Sequence, residues 1–360
     1  MTKVLAKAPI TQSWQIAMKR AIRNSNELCE ALNLNFEMIR TSVGGESQFP
    51  VFVPLEFLRR IQKGDSNDPL LLQVLPRAEE SRIDPAFDVD PVGEAFVEKA
   101  PGLLHKYVGR VLLVVSGVCG IHCRYCFRRH YPYETAPKSI ERWQPALEYI
   151  QSDSSIHEVI LSGGDPLTVV DERLSELVER LDAIPHLARL RIHTRLPVVI
   201  PQRVNQELCG WLEKSRLSKW VVLHINHSQE IDSHLVDAIS RLRRTGAIVL
   251  NQAVLLRGIN DSTEQLETLC ERLVDCGVIP YYLHQLDRVA GATHFEADKE
   301  QGLAMMSELA KRLPGYAVPK YVVEIAGESN KTLIKSGRSE FASVLSDVEF
   351  PKTEIKSWFK

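Results

Sequence analysis

A chain of 360 residues, 44% hydrophobic and 25% charged, has the make-up of a globular protein that can bury a large core without disulfide support. Its formal net charge of −2 gives no whole-chain footprint for nucleic acid or an anionic membrane surface, so neither is expected as a partner. The opening MTKVLAKAPITQSWQ lacks the apolar stretch of a secretory signal, and apolar runs such as residues 111–115 fall far short of a membrane span, so a cytoplasmic location is expected.

Residues 14–32 have helical spacing, with Ile16, Ile22, Leu28 and Leu32 along one broad face, and a second helix is expected over 55–62. Prolines 50, 54, 69, 76, 85 and 91 punctuate the stretch around and beyond it, so residues 1–105 read as a mainly helical region with an extended acidic connector. From residue 109 an alternation begins. Short β-branched or apolar runs at 111–116, 158–161, 190–193, 220–225, 248–256 and 279–286 predict strands. Amphipathic stretches at 140–151, 171–183, 203–214, 231–245 and 262–276 predict the helices between them. Six strands with intervening helices predict an α/β fold, a parallel sheet wound into a partial (β/α)6 barrel over 106–337, with a tail at 338–360. In such a barrel chemistry collects at the C-terminal ends of the strands.

The first of those ends carries GVCGIHCRYCFRRH. Of the chain's seven cysteines, Cys119, Cys123 and Cys126 stand together here, while Cys29, Cys209, Cys270 and Cys276 are scattered. Three thiolates on one loop can ligate three irons of a [4Fe–4S] cube and leave the fourth iron open to a non-protein ligand. The alternative is zinc, for which His122 or His130 would have to be a fourth ligand. At the second strand end, LSGGDPL offers Gly163 and Gly164, which permit close approach of a ligand, and Asp165, whose carboxylate can accept from an ammonium group. Elsewhere such a sequence is only a turn. His193, Thr194, Arg195, His224, Asn226, Asn251 and Gln252 are polar residues inside apolar runs. They need partners, either one another or a ligand. Near the C-terminus, YVVEIAGESNKTLIKSG delivers Lys331 from a turn of small residues, where a lysine is either solvated surface or a Schiff-base partner for pyridoxal phosphate (PLP).

The CxxxCxxC spacing, with Tyr125 before the last cysteine, resembles the radical S-adenosylmethionine (SAM) superfamily, in which SAM chelates the open iron and is cleaved to a 5′-deoxyadenosyl radical. The stretches DPLLLQVLP, DPVGE, YVGRVLLVVSGVCGIHCRYCFRRH, LSGGDPL, TRLPVVIPQRV, NQAVLLRGIND and PYYLHQLD hold one register over most of residues 50–335 and resemble the lysine 2,3-aminomutase family. The resemblance implies conversion of L-lysine to (R)-β-lysine by a radical 1,2-amino shift, with a [4Fe–4S] cluster, SAM and PLP as cofactors. It implies that Cys119, Cys123 and Cys126 hold the cluster, that Gly163, Gly164 and Asp165 bind the SAM amino group, and that His224 and Gln252 contact its ribose. Lys331 falls on the family's Schiff-base lysine, although AGESNK stands where the family has PGGGGK.

For the substrate, the resemblance implies that Arg128 binds the carboxylate and that Asp287 and Glu324 hold the distal ammonium, Glu324 standing where better-known members have Asp. Two carboxylates there favour lysine over glutamate. Arg110 is expected to pair with an anionic group of a cofactor or to make a salt bridge at the barrel base. The altered lysine turn, with a chain that stops soon after it, resembles the bacterial aminomutase serving elongation factor P. That implies a functional link to this factor and its lysyl ligase, and a reductant such as flavodoxin or ferredoxin. With no cysteine after Cys276, the C-terminal zinc site of longer relatives is not expected. The rival expectations are an aminomutase of lysine catabolism or osmolyte synthesis, and a non-catalytic iron–sulfur or zinc-binding protein.

Overall fold

The computed structural model describes residues 13–35, 49–133, 137 and 139–335; the tail expected at 338–360 lies outside them. One sheet runs in chain order: β1 (Glu98–Ala100), β2 (Leu103–Tyr107), β3 (Arg110–Ser116), β4 (Glu158–Gly163), β5 (Arg189–Thr194), β6 (Ser218–His224), β7 (Ile248–Val254), β8 (Ile279–His284), β9 (Lys320–Val323) and β10 (Thr332–Leu333). All pairings from β3 to β9 are parallel, while β1, β2 and β10 are antiparallel to their neighbours. The parallel strands are built to be covered on both sides: every residue of β4 is buried. Helices supply the cover. Ser233–Arg244, capped by Asp232, turns Leu235, Ala238, Ile239 and Leu242 inward, and Asp171–Asp182 does the same with Leu174, Leu177, Val178 and Leu181. Among the described residues no helix is long and apolar enough to cross a membrane.

The six expected strands and five expected helices of the barrel are present, with ends shifted by a few residues. Three features differ. The single helix expected over 14–32 is two short helices, Trp14–Lys19 and Ser25–Ala31. Asn24 caps the second by accepting from Glu27 N at 2.8 Å, and Ile22 leaves the helix to exchange two 2.9 Å backbone hydrogen bonds with Val53. The helix expected over 55–62 is shorter, Leu55–Leu58. The expected boundary near residue 105 cuts through the β1–β2 pair, which belongs to the sheet.

The barrel also runs on past its sixth strand, through helix Lys299–Arg312 to β9 and β10. That continuation closes the circle. Glu324, just after β9, accepts from Lys106 Nζ at 2.5 Å and from the Tyr107 hydroxyl on β2. Among the described residues the two ends of the sheet share no backbone ladder, and these side chains bridge the seam.

Candidate active site

All the expected site residues line one cavity of about 550 Å3 enclosed by the curled sheet. The three cysteines, Gly163, Gly164, Asp165, His224 and Gln252 form one end. Lys331, Glu324 and Asp287 form the other, and Arg128 lies among them. That volume is within the range of small-molecule sites.

The cysteine end is shaped by backbone contacts between β3 and β4. Gly164 N donates to Ser116 O at 2.8 Å, Asp165 N to Val118 O at 2.7 Å, and Val118 N to Ser116 Oγ at 3.1 Å. Gly163 has φ +134°, and a Cβ there would lie 2.2 Å from Ser116 O. A Cβ on Gly164 would lie 2.6 Å from Val118 O and 3.0 Å from Cys119 Sγ. Only glycines let the β4 turn lie this close to the cysteine loop. The Asp165 carboxylate accepts from Leu167 N (3.0 Å), Thr194 Oγ1 (2.7 Å), Arg195 N (2.7 Å) and Leu196 N (2.8 Å). Its acceptor positions are thereby taken. Asp165 ties the β4 turn to the end of β5, a part the sequence does not signal. On the neighbouring strands, His224 and Gln252 are direct register partners. Burial, with Arg195 second, lowers His224 to about 3, so its imidazole is neutral, and its Nε2 shares a hydrogen bond with the Tyr125 hydroxyl at 2.8 Å.

Burial pushes the Cys126 thiol up to about 12, with Cys123 adding to the shift, and it pushes Cys119 up as well, with Cys126 and Cys123 next in weight. Three thiolates in this wall would repel one another. Bound iron supplies the positive charge they need, so the donor set fits a cluster. Each of the two histidines weighed as a fourth zinc ligand has one ring nitrogen on a backbone carbonyl, His122 Nδ1 on Pro50 O at 2.8 Å and His130 Nε2 on Ala290 O at 3.1 Å.

The opposite end is held by charge. Lys331 Nζ lies 2.6 Å from Glu324 Oε2, whose other oxygen takes Lys106 and Tyr107. Burial pushes the Glu324 carboxyl up, but Lys331, Lys106 and Tyr107 outweigh it and bring it down to about 2. Asp287 behaves oppositely. Burial raises it to about 7 against the pull of Lys331, with Glu324 and Glu94 adding to the rise, and its buried Oδ1 has no hydrogen-bond partner among the described residues. Among the described residues three further buried atoms without partners belong to side chains lining the same cavity, Nε2 of His193 and of His284 and Nε of Arg195. Burial lowers both imidazoles, so they are neutral.

Arg128 is already in a bidentate pair: Nε donates to Glu94 Oε2 at 2.7 Å and Nη2 to Glu94 Oε1 at 2.6 Å, while Nη1 reaches Ser162 Oγ at 2.9 Å. Glu94 is a site residue that sequence reasoning missed, although DPVGE contains it. Nothing in the sequence pointed to Lys106, because its contact crosses the seam. Arg110, the first residue of β3, lines the cavity, its guanidinium carbon 4.5 Å from the Tyr107 ring centroid.

Residues 108–187, which contain all three clustered cysteines, match the 4Fe-4S single cluster domain family. The L-lysine 2,3-aminomutase of Haemophilus influenzae is 44% identical over 334 residues, covering 92% of this chain and 99% of that one. The L-lysine 2,3-aminomutase of Escherichia coli is 43% identical over 330 residues (91% and 96%), and that of Clostridium subterminale 35% over 316 residues (86% and 76%). With a cavity joining a three-cysteine loop to a lysine across one barrel, and relatives of this similarity along nearly its whole length, the chain belongs to the radical SAM lysine 2,3-aminomutase family.

Proposed function

We propose that this enzyme converts L-lysine to (R)-β-lysine using a [4Fe–4S] cluster, SAM and PLP. The observation that carries the reading is the single cavity whose walls hold the cysteine loop, the amine of Lys331 and the unpartnered carboxylate oxygen of Asp287. The names of the relatives support lysine as the substrate. When bound, SAM supplies a hydrogen-abstracting radical and PLP an electron sink for the nitrogen shift.

The chain's own residues bind, orient and exclude water. Cys119, Cys123 and Cys126 hold iron, and the backbone at Gly163 and Gly164, with His224 and Gln252, lines the place for SAM. Lys331 is the amine that would take the PLP carbonyl, which requires it to leave Glu324 and lose a proton; the cation of Arg110 stands on the same wall. Arg128, oriented by Glu94, would face the substrate carboxylate. Asp287 would receive the distal ammonium, and Glu324, once released by Lys331, would share that charge. Apolar walls such as Val111, Leu112 and Ile160 keep water out of the space between.

Anaerobically reconstituted protein given dithionite, SAM, PLP and L-lysine is expected to form β-lysine. Absence of both β-lysine and SAM cleavage overturns the reading. Replacing Lys331 with alanine is expected to abolish the borohydride-trapped PLP adduct, and an adduct surviving on another lysine overturns that assignment.

The AGESNK turn supports a narrower reading, that the β-lysine made here modifies elongation factor P. Deletion is then expected to leave that factor unmodified, and full modification without the enzyme would sink the link.

A further inference from the structure

Behind the cysteine loop lies a buried charge pair, one member of which, Arg195, also lines the cavity. Arg195, just past β5, is 7% exposed, and Glu230, in the short turn of helix Ser228–Glu230, is fully buried. Arg195 Nη1 donates to Cys123 Sγ at 2.7 Å and to the Tyr125 hydroxyl at 2.6 Å, while Nη2 donates to Gln73 Oε1 at 2.6 Å and Glu230 Oε2 at 2.9 Å. The second Glu230 oxygen accepts from Asn226 N at 2.9 Å, His227 N at 3.1 Å and Gln73 Nε2 at 3.3 Å. Four parts of the chain converge here: the N-terminal region through Gln73, the cysteine loop, and the ends of β5 and β6.

A buried ion pair is weak evidence for stability, since well-packed apolar residues do as well or better. What this pair does have is contact with a cluster ligand. The potential of an iron–sulfur cluster depends on hydrogen bonds to its sulfurs and on nearby charge. Reduction by a low-potential one-electron donor adds one negative charge to the cluster. A guanidinium donating to a ligand sulfur stabilises that added charge, and a carboxylate behind the guanidinium partly cancels the effect.

We propose that the Arg195–Glu230 pair sets the reduction potential of the cluster, Arg195 raising it through the Cys123 sulfur and Glu230 lowering it by offsetting the arginine. Both are positioning residues, and the pair rests on the cysteine loop holding the cluster.

The test is a mediator titration of reconstituted protein, with the reduced cluster followed by electron paramagnetic resonance at matched iron content. Arg195→Gln is expected to shift the midpoint to more negative potential and Glu230→Gln to more positive potential. Unmoved potentials, or shifts of the same sign, overturn the proposal. Should Arg195→Gln fail to load iron, Arg195→Lys keeps the charge without the fork and is expected to shift the midpoint negatively by less. In that case an unmoved or lowered midpoint in Glu230→Gln is decisive against the pair. A wild-type protein that forms no cluster would sink the cysteine assignment instead, so the two failures are separate.

Discussion

The two ends of the cavity are built on different principles. At the cysteine end most polar groups behind the loop have partners: Asp165 accepts four hydrogen bonds, Arg195 reaches Cys123, Tyr125, Gln73 and Glu230 with its Nε alone left over among the described residues, and the β4 turn packs where no side chain would fit. At the lysine end polar groups are left open. Asp287 keeps an oxygen without a partner and a carboxyl raised to about 7, and Lys331 is tied to Glu324 in a pair that must break for its amine to react. A group that stays bound is served by a rigid wall that needs no rearrangement. A substrate that comes and goes needs a wall whose unsatisfied groups only it completes, because a buried polar atom left alone is costly. The contrast is testable from both sides.

The largest effect is expected at the saturated end. Replacing Cys126 with alanine removes one corner of the cluster, and absorbance after anaerobic reconstitution should show the cluster lost and turnover at background. Next comes the glycine that lets the loops approach. Gly163→Ala places a Cβ 2.2 Å from Ser116 O at φ +134° and should destabilise the protein by about 3 kcal/mol in thermal or denaturant unfolding. Gly327, in the lysine turn, also has positive φ (+85°), but a Cβ there meets nothing within 4 Å. Gly327→Ala should cost only about 1 kcal/mol, the backbone term alone. Equal losses at the two glycines would erase the distinction between a packed end and an open one.

At the unsatisfied end the effects should appear in ligand binding. Loss of a charge-assisted hydrogen bond is worth roughly 1.5–3 kcal/mol. Asp287→Asn should therefore weaken L-lysine binding by roughly 10- to 100-fold in calorimetry. Because burial holds the Asp287 carboxyl near 7, it is neutral below that pH and cannot attract an ammonium. Wild-type affinity for lysine should fall as pH drops through about 7, and the Asn variant should lose that dependence.

The smallest change is expected for Lys106→Met, which removes one of the Glu324 partners. A carboxyl lowered from 4.5 to about 2 stabilises the fold above pH 4.5, and that stability is lost as pH falls toward 2. The variant should lose less on acidification, by about 1 kcal/mol after allowing for partial exposure. An unchanged acid-unfolding curve would remove Lys106 from the Glu324 charge balance.

Much of the barrel was legible because its signals are local. Each parallel strand is a short run of apolar and β-branched residues, and each helix repeats its buried positions every three to four residues. The misreadings came where a distant partner overrode local spacing. Ile22 is in phase with a helix, yet it pairs with Val53. β9 and β10 are too short to show a period of their own, and they exist because β8 and the seam receive them. Among site residues, those on motifs were found at the cavity. Glu94, Lys106, Gln73 and Glu230 carry no such local signal, since each acts on a group at least 34 residues away in the chain.

The sequence by itself determined that three thiols share one loop, that two glycines end the next strand, and that a turn of small residues delivers a lysine near the C-terminus, because these depend on spacing along the chain. The tertiary structure alone decided which charge answers which: Arg195 between Cys123 and Glu230, Glu94 in the fork of Arg128, Glu324 taken by Lys106 and Lys331, and Asp287 left waiting. The reason is physical. Charge compensation acts through space and strengthens with burial, so it is set by which strand ends the curled sheet brings together.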